Sequence, residues 1–304
     1  MKDFSLVIGG ANVDIQGFPE NQLKLRDSNP GKLKISLGGV GRNIADNMCR
    51  LGLPTKLVTA LGEDVYAAKI REGAKKIGLD LSEALTVPEQ SSSTYLSILD
   101  ENGDMALALA DMDIIDKLDM NFIRQKTDSI KAAKIVVVDT NLHRDLLDQL
   151  TFEFPKTSFL LDTVSTTKAI KVKDFVGRFH TIKPNKAEAE ILSGIKIESN
   201  EDLSRVEEYF MKQGVKRLFI TLNKEGVFFS DGINRGKINC IQADVINSTG
   251  AGDAFVAALA YCHVNEMVLQ ETAYFAQCAA VLALSHEDTI NPNMSVENIL
   301  KMYN

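Results

Sequence analysis

Short apolar runs rich in β-formers alternate with runs of helical spacing along most of this chain, and that alternation limits the fold more than any other feature. Residues 4–9, 55–60, 135–139, 158–162, 180–182 and 217–222 read as strands. Residues 39–51, 65–77, 121–133, 186–193, 202–213 and 254–263 carry apolar residues at helical spacing. In the first of these helices Ile44, Met48 and Leu51 make the stripe, and Gly52 closes it. Alternation of this kind implies an α/β fold: a mostly parallel central sheet with helices on both faces. At 304 residues the chain can bury a large core.

Two regions break the pattern. Residues 13–37 carry turn formers at Gly17, Pro19, Asn29, Pro30 and Gly31. In residues 91–113, two apolar runs flank Asp100-Glu101-Asn102-Gly103-Asp104, a hairpin loop by composition. These segments predict a small antiparallel sheet beside the main one, placed to act as a lid and inserted in a single unit spanning 1–304. Its open edges would be protected by pairing between subunits, so a homodimer is expected.

Bulk properties exclude some functions. A net charge of −7 argues against a nucleic-acid-binding surface. Cys49, Cys240, Cys262 and Cys278 form no C-x-x-C pair, which fits reduced, packed thiols. The four histidines show no metal-ligand spacing. No apolar stretch reaches the ~18 residues of a membrane span, and the N-terminus lacks a cleavable signal pattern, so no membrane partner and a cytoplasmic location are expected.

The motif richest in chemistry is Asn247-Ser248-Thr249-Gly250-Ala251-Gly252-Asp253-Ala254-Phe255. It joins an expected strand (238–245) to the helix 254–263. Its glycines let backbone N–H groups meet a ligand at a helix N-terminus, where donors and dipole favour an anion. Asp253 would repel a phosphate unless it removes a proton from a hydroxyl. The same residues also read as a tight turn with Asp253 as a simple cap.

Four other motifs follow strands or precede helices. Asn12 and Asp14 share a side of an extended segment and suit two adjacent sugar hydroxyls, or form an Asx turn. Gly38-Gly39-Val40-Gly41-Arg42-Asn43 lets a substrate lie on backbone, with Asn43 offering donor and acceptor. Asn185 and Glu188 read as a capping box or as an outer-sphere anchor for hydrated magnesium. Thr221, Asn223 and Gly226 face a nucleotide or make an ordinary hairpin with Gly226 in αL.

In this order the motifs resemble the ribokinase-like (phosphofructokinase-B type) sugar and nucleoside kinases over essentially the whole chain. The resemblance implies a three-layer αβα sandwich with a small antiparallel lid. It also implies ATP- and Mg²⁺-dependent transfer of the γ-phosphoryl group to the 5′-hydroxyl of a ribosyl substrate. Asp253 becomes the base, and Gly250, Ala251 and Gly252 the anion hole. Asn12, Asp14, Gly38, Gly39 and Asn43 hold the sugar. Asn185, Thr221, Asn223, Gly226, Gly250 and Gly252 meet the nucleotide, and Glu188 with Asn185 serves the metal. Many members carry Asp at the position of Asn247, which helps bind K⁺, so this substitution weakens the K⁺ expectation. Asn223 stands where many members have glycine.

Within the family, residues 39–45, 105–113, 275–277 and 289–292 look most like members acting on a C-linked uracil nucleoside. Thr94, Asp111, Asn141 and Lys168 are candidate base readers, although Lys168 reads more readily as a solvated surface residue and Asp111 also reads as a strand end. A kinase for ribose, adenosine or another ribosyl compound shares every catalytic residue. A catalytically silent sugar- or nucleotide-binding regulator is the reading from another class.

Overall fold

The computed structural model describes residues 3–242 and 245–303. The strands in chain order are β1 (Ser5–Ile8), β2 (Asn12–Pro19), β3 (Gly31–Gly38), β4 (Thr55–Val58), β5 (Ala60–Leu61), β6 (Leu85–Thr86), β7 (Thr94–Leu99) and β8 (Met105–Asp111). They continue with β9 (Val136–Asp139), β10 (Phe159–Asp162), β11 (Thr181–Lys183), β12 (Arg217–Thr221), β13 (Val227–Ser230) and β14 (Arg235–Ile238). Eight form the main sheet in the order β14-β13-β12-β11-β10-β9-β1-β4. It is parallel from β4 to β12 and ends in the antiparallel strands β13 and β14.

The central strands are apolar throughout because both faces are covered. Successive side chains alternate between two cores: Val7, Val137 and Leu160 enter one, Leu6, Ile8, Val136, Val138, Phe159 and Leu161 the other. Helices Val40–Arg50, Ala251–Val264 and Leu269–Leu284 cover the first face. Helices Arg144–Glu153 and Asn200–Gln213 cover the second.

Three expectations change. The expected strand 238–245 is a hairpin arm instead, β14, which ends at Ile238; 239–242 has no strand, and 243–244 lies outside the described residues. Pairing with β13 draws the strand back toward Arg235. The expected helix 121–133 is two short helices, Met120–Arg124 and Thr127–Ala132. The motif helix begins at Ala251, three residues before the apolar stripe.

The small sheet has the order β3-β2-β7-β8. Its two hairpins, β2–β3 and β7–β8, are antiparallel, and the seam β2–β7 that joins them is parallel. Its two faces differ in chemistry. Asp14, Ser36, Tyr95 and Ala110 stand on one. On the other the register aligns Ile35, Ile15, Leu96 and Leu109 in one row, and Leu33, Gly17, Ile98 and Leu107 in the next.

Candidate active site

The carboxyl ends of β9, β10 and β11 bring Asp139, Asp162 and Lys183 side by side, since Asp162 is in register with both others. All three are buried. The Lys183 Nζ lies 3.4 Å from Asp162 Oδ1. Burial alone would lower the Lys183 pKa, but Asp162, Glu188 and Asp253 outweigh it, and the net shift is upward. Asp139 Oδ1 accepts from the Asn141 N–H at 2.7 Å, while Oδ2 has no partner. Burial first, then the Asp162 charge, push Asp139 up to about 6.

The motif turn faces this cluster. Gly250 has φ 85°, and a Cβ there would stand 2.1 Å from the Thr289 carbonyl oxygen, so only glycine fits. A Cβ on Gly252 would lie 3.3 Å from Lys183 Nζ. The helix therefore presents its free N–H groups beside a buried ammonium, a setting suited to a phosphoryl group. Asp253 sits in the first turn and accepts a hydrogen bond from Asn43 Nδ2 at 2.9 Å. Burial and the Asp162 charge raise its pKa to about 7, against the opposing effects of Asn43 and Lys183. A carboxyl near neutrality is well matched to proton abstraction from an alcohol.

Asn43 belongs to the glycine-rich motif, which packs backbone against backbone. A Cβ on Gly41 would meet Gly9 Cα at 2.7 Å, and one on Gly39 (φ 96°) would meet the Gly10 oxygen at 2.5 Å. Gly38 is bare because the Asp14 carboxylate lies over it, 2.1 Å from where a Cβ would stand. Asn12 Nδ2 donates to Asp14 Oδ1 at 2.6 Å, so the two side chains share a side as expected. Burial raises the Asp14 pKa, and Asn12 and Arg42 partly offset it.

The remaining sequence candidates divide. Asn185 and Glu188 form a full capping box, and Glu188 Oε2 also accepts from Thr163 Oγ1 at 2.6 Å. With Glu188 buried and three hydrogen bonds on its two oxygens, the pair fits a hold on hydrated Mg²⁺ through water rather than direct ligation. Thr221 ends β12 and bridges to Asn185. Asn223 has φ 51°, a conformation that favours glycine. Gly226 has φ 89° and ψ −134°, which is not αL, and a Cβ on it would stand 1.8 Å from the Ile238 oxygen. At Asn247 the amide nitrogen donates to the Glu287 oxygen and the amide oxygen accepts from the Thr249 N–H. A neutral amide engaged at both ends offers K⁺ no anionic ligand.

Among the proposed base readers, Asn141 and Lys168 come together, the half-buried Lys168 donating from Nζ to Asn141 Oδ1. Thr94 and Asp111 are paired with each other and with Val13, on the face opposite Asp14. The strand register instead gives Tyr95 and Ser97 the side of the small sheet that Asp14 occupies. Sequence reasoning did not single out Asp139, Asp162, Lys183 or Arg42 as site residues. The available signal was a charged residue closing each apolar run: Val136-Val137-Val138-Asp139, Phe159-Leu160-Leu161-Asp162 and Thr181-Ile182-Lys183. A cleft of about 520 Å³ lined by Thr151, Ser158, Gly177 and His180 opens at the amino ends of these strands, the far end from the cluster.

The sequence pattern of the pfkB family carbohydrate kinases matches residues 2–296. The chain is 38% identical to a pseudouridine kinase of Escherichia coli (strain K12) over 302 residues, 99% of this chain and 96% of that protein. It is 31% identical to an uncharacterized sugar kinase of the same strain, over 99% of this chain and 83% of that one. The crystal structure of a candidate sugar kinase from Clostridium perfringens superimposes with a TM-score of 0.95 at 41% identity, covering 99% and 96% of the two chains.

Proposed function

The chain belongs to the pfkB family of carbohydrate kinases, and on that premise we propose that it phosphorylates the 5′-hydroxyl of pseudouridine with ATP, giving pseudouridine 5′-phosphate and ADP. The observation that carries the reaction type is the Asn43–Asp253 pair at a glycine-built helix N-terminus, with the Lys183 ammonium beside it. Asp253 takes the hydroxyl proton. The hydroxyl oxygen bonds to the γ-phosphorus while the bond to the β–γ bridging oxygen breaks. The N–H groups around Gly250, Ala251 and Gly252 hold the charge on the transferred group. Mg²⁺, when bound, neutralises the phosphate oxygens, with Glu188 and Asn185 holding its water shell. Asn12, Asp14 and the backbone at Gly38 and Gly39 hold the sugar hydroxyls.

The substrate choice rests on similarity to the Escherichia coli pseudouridine kinase across nearly the whole chain. Similarity to two proteins described as sugar kinases favours a second reading, a kinase for another ribosyl compound. ADP release from ATP–Mg²⁺ with pseudouridine, uridine, adenosine and ribose in parallel separates them. Turnover on pseudouridine well above the rest is the expected result. Higher turnover on another acceptor removes the substrate choice and keeps the mechanism. No turnover on any acceptor by folded protein moves the weight to a silent binder.

The small sheet also supports a homodimer, through a face rather than through its edges. Leu33 (70% exposed), Ile35 (47%), Leu107 (58%) and Leu109 (62%) crowd the face opposite Asp14. Apolar residues aligned in two rows across four strands are a surface for a partner, and a second copy presents the same rows. Light scattering at micromolar concentration is expected to give a dimer mass, and Leu107→Glu with Leu109→Glu a monomer mass. A monomeric parent protein removes the proposal.

A further inference from the structure

Arg42 is buried, yet the ion pair it makes does not require it. Its Nη2 lies 2.9 Å from Asp46 Oδ2, but Asp46 already has Arg50 Nε at 2.7 Å from its other oxygen. A second buried cation on a carboxylate that has one is costly to keep. Nε is buried without a partner, and it is the contacts of Nη1 that explain the residue's place. Nη1 donates to the Leu37 carbonyl at 3.2 Å, next to the Gly38 end of β3, and to Asn43 Oδ1 at 3.4 Å. The other end of that same carboxamide, Nδ2, donates to Asp253 Oδ2. The order is therefore Arg42, Asn43, Asp253, with each donor pointing toward the next acceptor.

We infer that Arg42 is a positioning residue that fixes the rotation of the Asn43 carboxamide, so that its NH₂ group and not its oxygen meets Asp253, and that it ties this orientation to the end of the lid strand β3. A carboxamide can present either end to a neighbour. With its oxygen anchored on a cation, the turned form would place the NH₂ against the guanidinium and the oxygen against a carboxylate. Both contacts are repulsive. Without Arg42 the turned form becomes accessible, and it favours the protonated, idle form of Asp253. The inference rests on the reading of Asp253 as the base. The other groups bearing on Asp253 are Asp162, Asp139 and Lys183 from the strand ends; those on Arg42 are Asp46, Arg50 and Asp14.

The test is the pH profile of kcat/KM for the acceptor, from about pH 5.5 to 9.5, for the parent protein, Arg42→Met and Arg42→Lys. Arg42→Met is expected to move the acidic limb upward by about one pH unit, with about tenfold loss below the limb and none well above it. In an Asn43→Ala background Arg42→Met is expected to add no shift. Arg42→Lys, which keeps the charge without the fork, is expected to retain part of the shift and carries the test if Arg42→Met does not fold. A loss equal at every pH, a shift that persists in the Asn43→Ala background, or full restoration by Lys each overturns the inference. Asp253→Asn separates the two readings. If it stays active, the base assignment itself fails; if it is inactive while the Arg42→Met profile keeps the parent limb, only the positioning role fails.

Discussion

Asp253→Asn is expected to lower turnover by about 10²–10⁴-fold or more, the range for loss of a positioned general base. The substitution keeps the size of the side chain and the helix turn, so acceptor KM changes far less than kcat. On the proposed mechanism Asp253 must be ionised to act as the base, and burial beside Asp162 holds its pKa at about 7. The rate therefore falls as pH drops through about 7, and the Asn variant loses that limb. Stability moves the other way. The folded pKa lies above the ordinary carboxyl value of 3.8, so the folded state binds this proton more tightly than the unfolded chain does. Keeping the group ionised costs stability as pH rises between those values. Thermal melts at pH 8 should thus show the Asn variant more stable than the parent, with the gap closing toward pH 4. Unchanged turnover would remove the base assignment, and a less stable variant at pH 8 would show that attraction to Lys183 outweighs the cost of burial.

Lys183→Met should be the most destabilising single change at the site. The ammonium lies within 3.4 Å of Asp162, and Glu188 and Asp253 also act on it. Removing it leaves buried carboxylates facing one another, and breaking a buried pair costs about 3–5 kcal/mol. The loss should be largest near pH 8. It shrinks toward pH 5, where Asp253 and Asp139, with pKa values of about 7 and about 6, take up protons. Turnover should fall as well, because an incoming phosphoryl group then meets the Asp162 and Asp253 carboxylates without the Lys183 charge between them. Urea denaturation at the two pH values measures the difference. Equal stability to the parent at pH 8 would show that water or protonation already screens the cluster.

The parallel sheet was legible because each central strand is buried on both faces and reads as an unbroken apolar run. The glycine turn at 250–252 was legible because a backbone that must approach something closely excludes side chains. What could not be read depends on registers between distant segments. Lys183 and Asp162 become a pair only when β10 and β11 align, and no local pattern states that alignment. Thr94 and Asp111 were credible base readers by composition, yet a one-residue offset along a strand reverses the face, and both fall on the side away from Asp14. Arg42 stood inside the glycine-rich motif without a role of its own, because its contacts with the Leu37 carbonyl and Asn43 appear only in the folded chain. The small sheet was expected to hide its edges, but the rows of Leu and Ile appear only once four strands are set beside each other.

The residues that meet in the Asn43–Asp253 hydrogen bond are 210 positions apart in the chain. At roughly 5–20 residues per second, a ribosome delivers the second about ten seconds or more after the first. Through that interval the growing chain can form the glycine-rich contacts of residues 9–43, but it lacks the carboxylate proposed to draw the proton from the acceptor. On the proposed reading of Asp253, catalytic competence thus waits until the segment around Asp253 has been made and has folded back onto the glycine-rich motif.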